Sequence, residues 1–302
     1  MSWTAGAQDN STPDGADKPA LQLLVLGSGG PGATGRAASS YLVLIGGEPR
    51  VLVDAGPGSF ARLGEAKLSL RSLDTVLLTH LHIDHAAELP GIIKARAVSS
   101  SGPIHFDIFG PMGHAARGTA PAFPSTSRFT KLLFGPDGAF AYLKDFAAPI
   151  SFSVTDLPRS GHGGDPAVIL SQGDLRISAI AGHHGDAPAI IYRIDNGGKS
   201  IVFSGDVDPS GLPALAKIST GTDLLIYDQV VLDRPDSPEV LYSLHSPPSE
   251  IGSVAAHAHI KALLLSHLSP AVDEDRDAVT KSIANHFTGP VTFATDGLRV
   301  RP

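Results

Sequence analysis

The chain has 302 residues, of which 42% are hydrophobic and 18% charged, with no cysteine and a formal net charge of −7. That length can bury a substantial core as one large domain or two smaller ones; lacking cysteine, the chain has no disulfides, thiolate ligands or cysteine nucleophile, which leaves His, Asp and Glu for any metal. No apolar run approaches the length that spans a bilayer, and the negative balance offers no global field for a polyanion, so nucleic acid would need a local patch or a bound metal.

Residues 1–19 are polar and turn-rich, and are expected to be a disordered tail rather than a signal peptide. The apolar run from Leu21 to Leu26 leads into Gly27-x-Gly29-x-x-Gly32, the pattern of a dinucleotide fingerprint, with Asp54 about where a ribose-binding acid would stand. That fingerprint requires a helix crossing to a parallel strand. The stretch from Gly32 to Tyr41 is too short and too interrupted by glycine to supply one. "SYLVLIGGEPRVLVDAG" reads instead as an antiparallel hairpin around Gly46-Gly47-Glu48-Pro49. A meander thus replaces the βαβ unit, and Asp54 is expected to play a structural or ligand-orienting part at a strand end.

The next segment, "DTVLLTHLHIDHAAELPGIIKA" (74–95), predicts a short strand over Val76 to Leu78 and a helix beginning near Asp84. His80, His82, Asp84 and His85 then lie on the connection. In extended backbone residues i and i+2 share a face, so His80 and His82 can clasp one ion, while the tightening turn aims Asp84 and His85 elsewhere. Four such ligands in six residues, split into two pairs, suit two neighbouring divalent ions better than one. The plain alternative is a histidine-rich surface loop.

This H-x-H-x-D-H stretch resembles the signature of the metallo-β-lactamase-fold hydrolases, most closely the ribonuclease Z-like branch, and matching motifs run from about Leu21 to Asp296. The resemblance implies a mixed α/β (α+β) chain folded as a four-layer αββα sandwich with its site at one edge. It implies a single domain over 20–302, from whose pattern the chain departs by a Pro/Gly/Ser-rich insertion at about 113–165. It also implies further ligands downstream at strand ends. These are His184 (with His183 the alternative, since alternation points the two to opposite faces), Asp206 as the bridging carboxylate, and His267. The implied assignment gives His80, His82 and His184 to one ion, and Asp84, His85 and His267 to the other, with Asp206 between them. Two divalent metal ions follow, zinc by default, although such ligands also accept iron or manganese. A water bridging two such ions loses its proton near neutral pH and becomes the expected nucleophile.

Catalytic roles are expected for Asp84, for His245 and for Asp228. His245 stands just ahead of Pro247-Pro248 and a helix start, and resembles a family position near the active site from which a proton could reach a leaving group. Asp228 lies in "LLIYDQVVLD", where ribonuclease Z enzymes carry His-Glu-Ala-Thr; the acidic half survives, and Tyr227 replaces the histidine. His257 and His259 are read as helical surface or interface residues, and His105, His114, His162 and His286 lack partner spacing. Six of the 12 phenylalanines fall between Phe123 and Phe152, inside the Pro/Gly/Ser-rich insertion. They suggest a lid or pocket wall for an apolar group, a dimer contact, or a satellite core.

The resulting expectation is a dinuclear hydrolase that cleaves an ester-type bond (phosphodiester or phosphoester, aryl sulfate, ester or lactone) of a small, partly apolar molecule. It has no membrane partner, nucleic acid is disfavoured and a homodimer is allowed. A ribonuclease Z-like tRNA 3′-processing endonuclease and a noncatalytic metal-binding sensory module are the alternatives.

Overall fold

The structure, a computed structural model, describes residues 19–32, 34–146, 148–158 and 164–302. The readings made for residues 1–18 and for His162 lie outside the described residues. In chain order the first half holds β1 (Leu21–Gly27), β2 (Ser40–Ile45), β3 (Glu48–Val53), α1 (Ser59–Glu65), β4 (Thr75–Leu77), α2 (Ile83–Ala86), α3 (Leu89–Val98), β5 (Ile104–Pro111), α4 (Thr126–Phe134) and β6 (Ile150–Leu157). The second half continues with β7 (Ala167–Gln172), β8 (Leu175–Ala181), β9 (Ile190–Asn196), β10 (Lys199–Phe203), α5 (Leu212–Ile218), β11 (Leu224–Asp228), α6 (Pro248–His257), β12 (Ala262–Ser266), α7 (Pro270–Glu274), α8 (Arg276–Ala284), β13 (Val291–Phe293) and β14 (Arg299–Val300).

Two seven-stranded sheets form, in the orders β14-β1-β2-β3-β4-β5-β6 and β13-β12-β11-β10-β9-β8-β7. Side chains alternate across a strand, so a strand buried on both faces reads as a continuous apolar run and divides its residues between two cores. In β1, Leu21, Leu23 and Val25 pack in the cluster between the sheets, while Leu24 and Leu26 join the cluster under the helices of the first half. In β11, Leu224 and Ile226 face the sheet interface, whereas Leu225 and Tyr227 face the helices of the second half. Three apolar layers therefore separate four structural ones, giving the αββα sandwich. A fully buried Leu or Val contributes about 1.5–3 kcal/mol to that packing.

Strand direction determines where chemistry can collect. β3, β4, β5 and β6 are mutually parallel, as are β10, β11, β12 and β13. β8 runs with β10, because each is antiparallel to β9. The connections leaving the carboxyl ends of these strands consequently gather at one edge, the usual place for a site in such sheets. The glycine-rich run after β1 also belongs there. A Cβ on Gly27 would stand 1.8 Å from the Ala38 carbonyl oxygen, and the Gly30 amide donates to the Leu268 carbonyl at 3.1 Å. Gly27 and Gly30 allow close backbone crossing beside the loop of His267, a structural use for glycine in this run.

The region expected to be a loop-like insertion differs from that description. It contains α4 and β6, and β6 extends the first sheet from Ile104↔Ile150 to Pro111↔Leu157. Phe134 is buried in the first-half helix core, and Phe129, Phe140 and Phe152 pack against the same cluster. The Phe134 and Phe152 rings stack at 5.0 Å. "ISFSVTD" has the strand period of two, which the turn-rich residues on either side concealed.

At the edge away from the site, Asp223 ties three strands together. Its carboxylate accepts from the Ser200 amide and hydroxyl, and it pairs with Lys261 Nζ at 2.8 Å and Lys199 Nζ at 3.7 Å. Burial pushes this carboxyl up, but Lys261 and Ser200 outweigh burial and hold it below its ordinary value. Asp223→Ala is expected to cost about 1–3 kcal/mol by leaving the Ser200 donors unpaired, measured by urea unfolding at neutral pH. A depressed folded pKa stabilises above the unfolded value and ceases to as pH falls through the folded one. The wild-type and Ala stability curves should therefore converge in acid.

Candidate metal centre

The cluster is assembled from both sheets. His80 follows β4, and His82 is the N-cap of α2, which carries Asp84 and His85. His184 lies in the turn after β8, closed by a bridge to Ala187. Asp206 follows β10, Asp228 ends β11 and His267 follows β12. His80, His85, His184, Asp206 and His267 are each at most 3% exposed. Such burial requires their polar atoms to find partners or ions.

Ligand atoms of His80, His82, His184 and Asp206 lie within 4.8 Å of one another, as do those of Asp84, His85 and His267, and those of His85, Asp206 and Asp228. The two oxygens of Asp206 face different groups. Oδ2 stands 3.4 Å from His184 Nε2 and 3.9 Å from His80 Nε2, whereas Oδ1 stands 3.6 Å from His267 Nε2 and 3.8 Å from His85 Nε2. Several of these atoms are unsatisfied as they stand. Among the described residues His80 Nε2 and Asp206 Oδ1 are buried with no hydrogen-bond partner, and His85 Nε2 meets His267 Nε2 at 3.1 Å. An imidazole and carboxylate donor set with orphaned lone pairs fits divalent cations.

Charge follows the same division. Burial holds His80 well below its ordinary pKa, with His85 adding to the effect, and it also lowers His82. Burial would likewise lower His85, but the Asp54 and Asp206 carboxylates overcome it and raise the ring to about 10. His267 is raised against its burial by Asp206 and Asp84. Asp84 is held at about 2 because the His267 hydrogen bond and the His85 charge outweigh its burial. Asp206 lies well below the usual carboxylate range, where His267, His245, His85 and His184 overcome its desolvation. Carboxylates and imidazoles thus offset one another's charge here, and a divalent cation binding them would displace any proton they hold.

Asp54 orients this machinery. It adopts φ 57°, a left-handed conformation that costs a non-glycine residue about 1–3 kcal/mol. Oδ1 accepts from the Thr79 amide at 2.7 Å, and Oδ2 accepts from the Thr79 hydroxyl at 2.7 Å and from His85 Nδ1 at 2.8 Å. His85 Nε2 is thereby turned toward Asp84, Asp206 and His267.

Of the two adjacent histidines, His184 is 2% exposed and donates through Nδ1 to the Leu244 carbonyl, which leaves Nε2 toward Asp206. His183 turns outward and pairs with Asp208 at 2.6 Å. His245 is buried with its ring 5.3 Å from His184 and 6.2 Å from His267, and Nδ1 has no partner among the described residues. Burial lowers it to about 4. Asp228 accepts from the Tyr41 hydroxyl at 3.2 Å, and burial raises it to about 7. Tyr227 points away into the helix-side core, donating to the Ser246 carbonyl. Sequence reasoning missed Tyr41 and His114, and placed Phe123 in the aromatic window without singling it out. The Phe123 ring lies 6.0 Å from His82 and 5.5 Å from His114. His114 was read as ordinary because its partners are distant in sequence.

A family model described as a beta-lactamase superfamily domain matches residues 49–268. Ribonuclease Z of Mycobacterium avium (strain 104) is 28% identical over 290 residues, covering 93% of this chain and 98% of that protein. Ribonuclease Z of Mycobacterium bovis (strain BCG / Pasteur 1173P2) is 28% identical over 291 residues, with the same 93% and 98% coverage. Human tRNase Z, short form, superposes with a TM-score of 0.67 at 21% identity over 93% of this chain and 99% of that one. The metallo-beta-lactamase fold protein YhfI from Bacillus subtilis gives 0.66 at 24% identity, over 93% and 98%. These relatives overturn the expectation of a small-molecule substrate with nucleic acid disfavoured. A net charge of −7 describes the far field, whereas a phosphodiester would meet the local charge of a metal-filled site.

Asp54→Asn retains the shape but replaces one accepting oxygen with a donor. It is expected to weaken divalent-cation affinity about 10–100-fold, measured by titration calorimetry on chelator-treated protein, with circular dichroism unchanged.

Proposed function

Because the chain belongs to the beta-lactamase superfamily and is a metal-dependent hydrolase of its ribonuclease Z-like branch, we propose that it is an endonuclease that cuts a phosphodiester of RNA, with precursor tRNA as the first substrate to try. The observation that carries this reading is the likeness to ribonuclease Z proteins over 93% of the chain, a span that includes every residue of the clustered site. His80, His82 and His184 are proposed to hold one divalent cation and Asp84, His85 and His267 a second, with Asp206 shared between them. Zinc is the first choice on ligand chemistry, with iron or manganese next.

Bound cations would supply Lewis-acid activation of water and neutralisation of the phosphate charge. The chain's own groups do the remaining work. Asp84, charged throughout the neutral range, accepts a hydrogen bond from the attacking water and orients it. His245 is neutral in its buried setting, and an entering phosphate anion raises its pKa. It can then carry a proton to the leaving oxygen. Asp228 Oδ2, buried and without a partner among the described residues, is the atom proposed to take up a proton released on cleavage, a task suited to a carboxyl near 7. Tyr41, donating to the other oxygen of Asp228, leaves Oδ2 free for that exchange.

Metal-replete protein is expected to cleave precursor tRNA, and a chelator should abolish cleavage until divalent metal is restored. His82→Ala and Asp206→Ala should fall to background, with bound metal decreasing in parallel by elemental analysis. His245→Ala should keep its metal and lose about 10²–10⁴-fold in kcat. Intact RNA after incubation with metal-replete wild type would reject the ribonuclease reading.

A further inference from the structure

Among the described residues Phe123 joins none of the apolar clusters, and its ring neighbours there are the imidazoles of His82 and His114. It is half-buried. His82 is itself only partly buried, unlike the other imidazoles of the centre, so the two rings stand together where the site opens.

The hairpin carrying Phe123 is built to hold it there. The His114 amide donates to the Phe123 carbonyl at 2.9 Å, and the Phe123 amide to the His114 carbonyl at 3.0 Å. Toward the tip, Arg117 and Ala120 exchange hydrogen bonds at 3.1 and 3.0 Å. Gly113 lets the two arms cross closely, since a Cβ there would lie 2.4 Å from the Phe123 carbonyl oxygen. His114 Nε2 donates to the Asp186 carbonyl at 2.9 Å and ties the hairpin to the turn that presents His184. The aromatic face is thus set relative to His82 and His184 before any substrate arrives.

We propose that Phe123 is a substrate-binding residue that stacks on the nucleobase flanking the scissile phosphodiester. This inference rests on the ribonuclease reading above. In RNA a base lies one sugar away from the phosphate being cut, and Phe123 lies one side chain away from His82. Stacking on an aromatic face tolerates any base, and such a platform orders a flexible single strand without reading its sequence. Arg117, exposed at the hairpin tip, adds a positive charge for the neighbouring backbone.

The test compares wild type, Phe123→Leu and Phe123→Trp on cleavable RNA with normal bases, and on the same RNA with an abasic nucleotide placed in turn on each side of the cut. Phe123→Leu is expected to lower kcat/KM roughly tenfold or more on normal RNA, from the usual strength of a base–aromatic stack. Phe123→Trp should retain activity. On the RNA that lacks the stacked base, wild type and Phe123→Leu should perform alike, with metal content and circular dichroism the same in all three proteins. An equal loss on normal and abasic RNA would mean that the ring merely supports His82, and no loss on either would mean that it touches nothing; each result overturns the inference while leaving the ribonuclease reading intact. Failure of wild type to cut any RNA removes both.

Discussion

One buried carboxylate sets the terms for this molecule. Asp206 is 3% exposed, and each of its oxygens is faced by two imidazole nitrogens within 3.4–3.9 Å. A charge taken out of water is tolerated only when opposite charge surrounds it. The neighbouring carboxylates favour the charged forms of His85 and His267 against their burial, and divalent cations suit the same positions. The demand reaches back into the fold, because the surrounding groups come from both sheets. They can converge only where β4, β8, β10, β11 and β12 deliver their carboxyl ends to one edge.

Holding that convergence requires backbone that the residues would not choose alone. Asp54 and His267 both have positive φ at strand ends, 57° and 53°. Strain of this kind persists only when the surroundings over-determine it. Three hydrogen bonds onto the Asp54 carboxylate do so, and the Asp84 contact does the same for the His267 ring. The apolar layers supply the rigidity. Alternate residues of β1 and β11 are committed to different cores, so a one-residue slip of either strand would exchange those residues and spoil the packing of both cores.

The charge of the whole chain does not by itself exclude a nucleic-acid substrate. A net −7 opposes long-range attraction of RNA, but that field is screened within about 10 Å at ordinary salt. What a phosphodiester meets on arrival is the site itself. Family membership and likeness to ribonuclease Z proteins over 93% of the chain are therefore compatible with that composition.

How much could be read from the chain alone depends on how far apart the interacting atoms lie along it. His80, His82, Asp84 and His85 fall within six residues, so their spacing alone revealed metal chemistry, and the hairpin around Gly46-Gly47 was equally legible. The order of His184, Asp206 and His267 at strand ends was visible through resemblance. What needed the tertiary structure were contacts between distant segments. Asp54 reaches His85 across 31 positions, the Asp186 carbonyl reaches His114 across 72, and Tyr41 reaches Asp228 across 187. The same limit governed the phenylalanines. Composition counted six in one window, but only packing separated those of the helix-side core from Phe123 above His82. Periodicity records which face a residue occupies, and it carries no information about which other face will close over it.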